Sequence, residues 1–268
     1  ADWTNANRAG VFFAMFTPVM AVVATTFKAR RWVSLGAWVG TALGAFATFV
    51  TYSRQSYGIL AAVLLMFFLR RNVVVGVLVA LLVLNYEVWL PDAAVQRIQM
   101  THAASEGDAG DAQLDESTES RFIIWAGAAA MIAEHPLGVG LQRFRENLGR
   151  YSSVHNMDAH NYYILTAAEA GPIGAVALLV LVAGLLGLSR PLFRLKDDED
   201  ARVLAWSHLL CTASLIMGNM FGSAFNFGEL MAGYWVLSAL AARYPTLVET
   251  AAFGGQAVSV APPKRRLV

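Results

Sequence analysis

YYILTAAEAGPIGAVALLVLVAGLLGL, residues 162–188, decides the fold class. One charged side chain, Glu169, interrupts 27 otherwise uncharged residues. As a helix rising about 1.5 Å per residue, the run reaches about 40 Å, more than the ~30 Å hydrocarbon core of a bilayer. Ala, Leu and Val follow one another without the alternation of a barrel strand, so the run is helical. The whole chain agrees with this local signal. Of its 268 residues, 57% are hydrophobic and 15% charged, with a mean hydropathy of +0.50. A soluble domain carries about 25% charged residues. The sequence therefore predicts an all-α integral membrane protein, a polytopic helical bundle.

Six more apolar runs lie outward from that stretch: Val11–Phe27, Trp32–Val50, Tyr57–Leu69, Val73–Leu90, Val203–Gly222 and Leu230–Ala242. The third of the chain's seven runs and the last are short, to be completed by polar flanks that face protein. The expected organisation is four transmembrane helices in 1–90, a hydrophilic loop over 91–161, three transmembrane helices in 162–242, and a disordered cytoplasmic tail over 243–268. Basic residues orient the bundle. With Lys28–Arg31 inside, alternation also puts Arg70–Arg71, Ser189–Arg202 and the tail inside, and these segments hold 13 of the 20 basic residues. The outside keeps Arg8, Arg54, Arg97, Arg121, Arg143, Arg145 and Arg150. This bias has the sign expected of cytoplasmic loops, so the large loop faces the periplasm of a two-membrane bacterium. An odd number of spans with an outside N-terminus leads us to expect earlier spans missing from this chain. The net charge of +1 gives no sign of a nucleic-acid partner, and Cys211, the only cysteine, permits neither an internal disulfide nor a cysteine metal site.

Three polar stretches stand out against this background. Thr51–Ser56 is a knot between two spans that puts Arg54 at the outer interface. Arg54 is either an arginine reaching up to headgroups or a planar fork for phosphate oxygens. The loop holds an acidic, solvated segment, Glu106–Glu119, and then an amphipathic helix over about 120–134. Its apolar stripe is predicted as Phe122, Trp125, Ala129 and Ile132, with Ser120 as N-cap and Trp125 at headgroup level. Arg121 would then stand in the first turn, against the helix dipole, where an acid or a bound anion must offset it. His135-Pro136-Leu137-Gly138-Val139-Gly140 breaks the chain after that helix. The third stretch, His155–Tyr163, ends at the start of the 162–188 run. His160 is then either a capping histidine or a neutral imidazole able to accept a hydroxyl proton. Asp158 either holds its ring or caps independently. His155, Asp158 and His160 match no common closed zinc site. Gly171-Pro172-Ile173-Gly174 should kink the last run.

Taken in order, Ser53-Arg54, Ser120-Arg121 with Trp125, His135–Gly140, and His160-Asn161 followed by Gly171 and Gly174 resemble the bacterial O-antigen ligase and O-antigen polymerase superfamily. The resemblance runs to about Leu188 and rests on general hydropathy after that. The family carries more spans ahead of its large outer loop, in keeping with missing N-terminal helices. One departure is Gln55, where a glycine often follows the arginine.

The resemblance implies a cofactor-free, metal-independent transfer of a glycan from undecaprenyl pyrophosphate to a sugar hydroxyl of the lipid A core, at the outer face of the inner membrane. Arg54 and Arg121 would hold the pyrophosphate and His160 would be the catalytic base. Arg97, His155 and Asn161 are further candidates. The implied partners are the lipid-linked donor, the core acceptor and membrane lipid. A polymerase of O-antigen or exopolysaccharide uses nearly the same chemistry with a different acceptor. A transporter is the non-enzyme alternative; it would place charges in mid-span, where only Glu169 and His208 stand.

Overall fold

The computed structural model describes residues 6–89, 95 and 116–257. Among these the chain is helical, with no strands. The first part comprises α1 (Ala6–Thr26), α2 (Arg31–Val50), α3 (Arg54–Arg71), α4 (Val73–Leu84) and the short α5 (Tyr86–Trp89). Next come α6 (Glu116–Glu134) and α7 (Phe144–Leu148), then α8 (Tyr162–Gly187), which runs on into α9 (Ser189–Arg194). The chain closes with α10 (Glu199–Met220), a 3-10 turn over Ala224–Asn226, and α11 (Gly228–Ala257).

Among the described residues, four helical stretches are long and apolar enough to cross a membrane: Ala6–Thr26, Arg31–Val50, Tyr162–Arg194 and Glu199–Met220. The protein is an all-α, multi-pass membrane protein. Helices α1 and α10 occupy its middle. Met15, Ile59, Leu215 and Tyr234, from α1, α3, α10 and α11, close into one apolar cluster. The outer helices turn side chains just as apolar away from the protein: Phe46 of α2 and Val180 of α8 are each 65% exposed. Surfaces that apolar are stable only where the surrounding solvent is hydrocarbon.

The structure departs from the expected runs in two places and lengthens a third with polar flanks. Val73–Leu90 is not one helix: α4 stops at Leu84, and Asn85 follows with its side-chain amide donating to the Leu81 carbonyl at 2.8 Å. Twelve residues span about 18 Å, well short of a bilayer core. Tyr57–Leu69 sits inside α3, an 18-residue helix with Arg54 at one end and Arg70 and Arg71 at the other. Leu230–Ala242 is only the start of α11, which continues through Pro245 to Ala257 where a disordered tail from residue 243 was expected. One residue before Pro245 the Tyr244 hydroxyl donates to Asp198, the N-cap of α10, which ties this part of α11 to its neighbour. The remainder of the tail and the acidic segment up to 115 lie outside the described residues.

His208, in the middle of α10, is fully buried and fully engaged. Its Nδ1 pairs with the Ser189 hydroxyl at 2.9 Å and its Nε2 with that of Ser238 at 3.2 Å. The Ser238 hydroxyl donates its single proton to the Tyr234 carbonyl, so it accepts from His208 and the ring carries its proton on Nε2. The residue therefore ties α9, α10 and α11 together.

Candidate functional site

Four hydrogen bonds gather the polar stretches at one end of the bundle. The buried Ser53 hydroxyl, just before α3, donates to Asn7 Oδ1 in α1 at 2.8 Å. Gln55 donates to the Gly218 carbonyl near the end of α10 at 2.9 Å. The Tyr163 hydroxyl donates to Ile216 at 3.2 Å, and Ser223 donates to Asp158 Oδ1 at 3.4 Å. These fix the start of α3 beside the loop and the start of α8. Arg54 is the first residue of α3 and half-buried. A cation at a helix N-terminus is disfavoured by the helix's own dipole, and an anion bound there would relieve the conflict.

That argument was expected to apply to Arg121, and there it fails. Helix α6 begins at Glu116, not after Ser120, so Ser120 is no N-cap and Arg121 falls in the second turn. The buried stripe of α6 also differs from the expected one. Ile124, Ala128 and Met131 face inward, against Phe144, Leu148, Ala159 and Ala168. Phe122 is 54% exposed and Ala129 is exposed too. Trp125 is half-buried, and its indole N–H donates to the Ala159 carbonyl at 2.8 Å. It therefore clamps the residue immediately before His160.

Two glycine motifs far apart in sequence lock to each other. Pro172 has no N–H for the carbonyl of Ala168, and Gly171 breaks the helix with φ 68°, ψ −175°. The amides of Val139 and Gly140 fill the gap, donating to the Ala168 and Glu169 carbonyls at 3.0 Å each. The contact is tight. A Cβ on Gly138 would lie 2.3 Å from the Glu169 oxygen, and one on Gly171 would lie 2.6 Å from the Pro136 oxygen. The Glu169 carboxylate accepts from the Phe144 N–H at the start of α7. The His135–Gly140 break thus seats the loop on the kink of α8. Replacing Gly171 with Ala should destabilise the protein by about 2–4 kcal/mol, because the conformation is essentially restricted to glycine and the space is filled. Gly187, with nothing within 4 Å of a Cβ, should tolerate the same change. Thermal melting of both variants in detergent checks this, and equal melting points would remove the lock.

His160 stands between residues that are each fixed. Its own backbone is left-handed, φ 48°, an uncommon state for a residue with a side chain. Its N–H donates to Asp158 Oδ1 at 3.1 Å, while Arg145 Nη2 donates to Asp158 Oδ2 at 2.7 Å. Asp158 thus holds the His160 backbone rather than its ring. Asn161 caps α8, accepting from the N–H groups of Tyr163 and Ile164. Partial burial pushes the His160 imidazole below its ordinary pKa. Asp158 opposes that shift, and the charges of Arg121 and Arg145 reinforce it. Burial by itself would raise the Asp158 carboxyl. The hydrogen bonds from Arg145 and the His160 N–H, with the charges of Arg145 and His160, hold it below its usual value instead. The ring of His160 is therefore neutral at pH 7, with two guanidinium groups close enough to act on it.

A cleft of about 660 Å³ opens beside this cluster, lined by Gln142, Arg145, Asp158, Tyr162, Glu169 and Asn226 among others. Its carboxylates and amides are the donor and acceptor set that sugar hydroxyls require. His155 is exposed, its Nδ1 lying over Gly149. Among the described residues no three His, Cys, Asp or Glu side chains converge as a metal site would, so His155, Asp158 and His160 do not form one. Arg97 lies outside the described residues. Sequence reasoning missed Arg145 and Ser223. Arg145 had a usable signal, since Arg143, Arg145 and Arg150 crowd together on the side otherwise poor in basic residues. Ser223 had none.

A family model described as O-antigen ligase matches residues 34–179, more than half of the chain, from α2 into α8. The match contains Arg54, Arg121 and His160. A search of curated proteins gave no match.

Proposed function

Because the chain belongs to the O-antigen ligase family, whose members carry out membrane glycosyl transfer of the ligase or polymerase type, we propose that it joins a glycan from undecaprenyl pyrophosphate to a sugar hydroxyl of the lipid A core. The observation that carries the proposal is the placement of His160, held between Asp158, Asn161 and the Trp125 clamp, where burial and the charges of Arg121 and Arg145 favour its neutral form. The reaction takes place at the periplasmic face of the bacterial inner membrane. The acceptor oxygen attacks the anomeric carbon as its proton passes to His160. The bond from that carbon to the pyrophosphate oxygen breaks, and undecaprenyl pyrophosphate leaves. Arg54 and Arg121 offset the charge that grows on the leaving group. Direct displacement inverts the anomeric configuration.

Mixing the purified full-length protein with undecaprenyl-pyrophosphate glycan and core-only lipopolysaccharide tests the proposal. Glycan should appear on the core with inverted configuration. Retained configuration would overturn direct displacement, and elongation of lipid-linked glycan alone would make the protein a polymerase. A transporter is disfavoured because Glu169 faces the outer cleft and accepts from Phe144, while the buried His208 is held between two serines.

The rate should depend on pH in a particular way. His160 acts as a base only when neutral, and its pKa is below the ordinary ~6.5. Transfer should stay level as pH falls to about 6.5 and drop only below that. Arg145→Gln removes a charge that lowers the His160 pKa, so the acid limb should move to higher pH. An unmoved limb in the kcat/KM profile would mean that Arg145 does not act through His160.

A further inference from the structure

At the opposite end of the bundle, α1, α2, α3 and α4 leave a crevice of about 720 Å³ that the transfer reaction does not use. Lys28 and Arg71 line it, and among the described residues neither has a carboxylate against it. Arg71 is oriented all the same: its Nη2 donates to the Thr25 carbonyl at 2.5 Å, a group left without a helical partner by the end of α1. Ser34 does the same for Ala24 at 2.8 Å. The Ala24 and Thr25 carbonyls are thus taken up by hydrogen bonds, and among the described residues no carboxylate pairs with Lys28 or Arg71.

The floor of the crevice is apolar. Trp38 and Phe68 stack with ring centroids 6.5 Å apart and planes 5° apart. Phe68 lies three residues along α3 from Arg71, about 4.5 Å deeper into the bundle. Trp38 is 42% exposed, so the floor is open to the side. A cationic rim with an aromatic slot about one helical turn below it matches a phosphate head and the upper part of an acyl chain.

We propose that this crevice binds an anionic glycerophospholipid, its phosphate between Lys28 and Arg71 and an acyl chain against Trp38 and Phe68. The bias of basic residues puts the crevice at the cytoplasmic leaflet, where anionic lipid gathers.

Melting of the full-length protein in neutral detergent, titrated with phosphatidylglycerol, phosphatidylcholine or sodium phosphate, tests this. Phosphatidylglycerol should raise the melting point at concentrations where phosphatidylcholine does not, and sodium phosphate should not displace it. Lys28→Gln with Arg71→Gln should weaken the phosphatidylglycerol response roughly 30-fold, about fivefold for each charge. Lys28→Glu, at an exposed position, should also weaken it and decides the matter if the double variant does not fold. Equal responses to the two lipids, or an unaltered response in Lys28→Glu, would overturn the proposal. Saturation by sodium phosphate alone would replace it with a site for the free anion.

Discussion

His160→Ala should lower glycan transfer by a factor of roughly 10² to 10⁴, the contribution of a positioned general base. Folding should survive, because the Asp158 bond uses the main-chain N–H of residue 160 and not its ring. Alanine can also accept the left-handed backbone at a modest cost of about 1–2 kcal/mol. Donor binding should persist as well, since the arginines are untouched. The loss should therefore fall on kcat, with KM for the donor little changed. His155→Ala is the matched control: its ring is exposed and lies over Gly149. If His155→Ala loses activity and His160→Ala keeps it, the base is His155.

Arg54→Lys should be nearly as damaging, at about 10²- to 10³-fold in transfer, the range seen when one oriented donor is removed from a developing anion. The charge is kept, so a purely electrostatic or headgroup-reaching role predicts almost full activity. The planar fork is lost, so a bidentate hold on pyrophosphate predicts failure. The surroundings make the test sharp. Ser53, bonded to Asn7, and Gln55, bonded to Gly218, bracket residue 54, so lysine at 54 starts from the same backbone position. Transfer by Arg54→Lys at the wild-type rate would remove Arg54 from the anion site.

The parts of this structure that could be read from sequence were set by local composition. Helix α8 is one example, because a run of that length without basic residues has only one stable solvent. Ser53-Arg54 could be placed for a similar reason, as polar residues in a knot with no room to leave the membrane interface, and His160-Asn161 because they abut the start of that apolar run. What could not be read was pairing across distance. Val139 and Gly140 satisfy carbonyls at 168 and 169, and a chain break at either motif looks like an ordinary turn when seen alone. Asp158 is fixed by Arg145 and Ser223, one 13 and the other 65 residues away. The face of α6 was legible in part: Trp125 and Ile132 pack against the buried cluster, but Phe122 and Ala129 are exposed, and Ile124, Ala128 and Met131 form the stripe's centre. The start of α6 was misjudged because Ser120 follows the pattern of a cap, whereas Glu119 in the first turn suits the dipole and lets the helix begin earlier.

The central claim, that this protein moves a finished lipid-linked glycan onto the lipid A core, is tested most directly by a lipopolysaccharide gel from the host strain with the gene deleted and then restored. The account predicts bare core with lipid-linked polymer accumulating, and a full ladder on restoration with the wild-type gene but not with His160→Ala. Core bearing a single repeat unit would contradict the ligase reading in favour of a polymerase, and an unchanged ladder would contradict both.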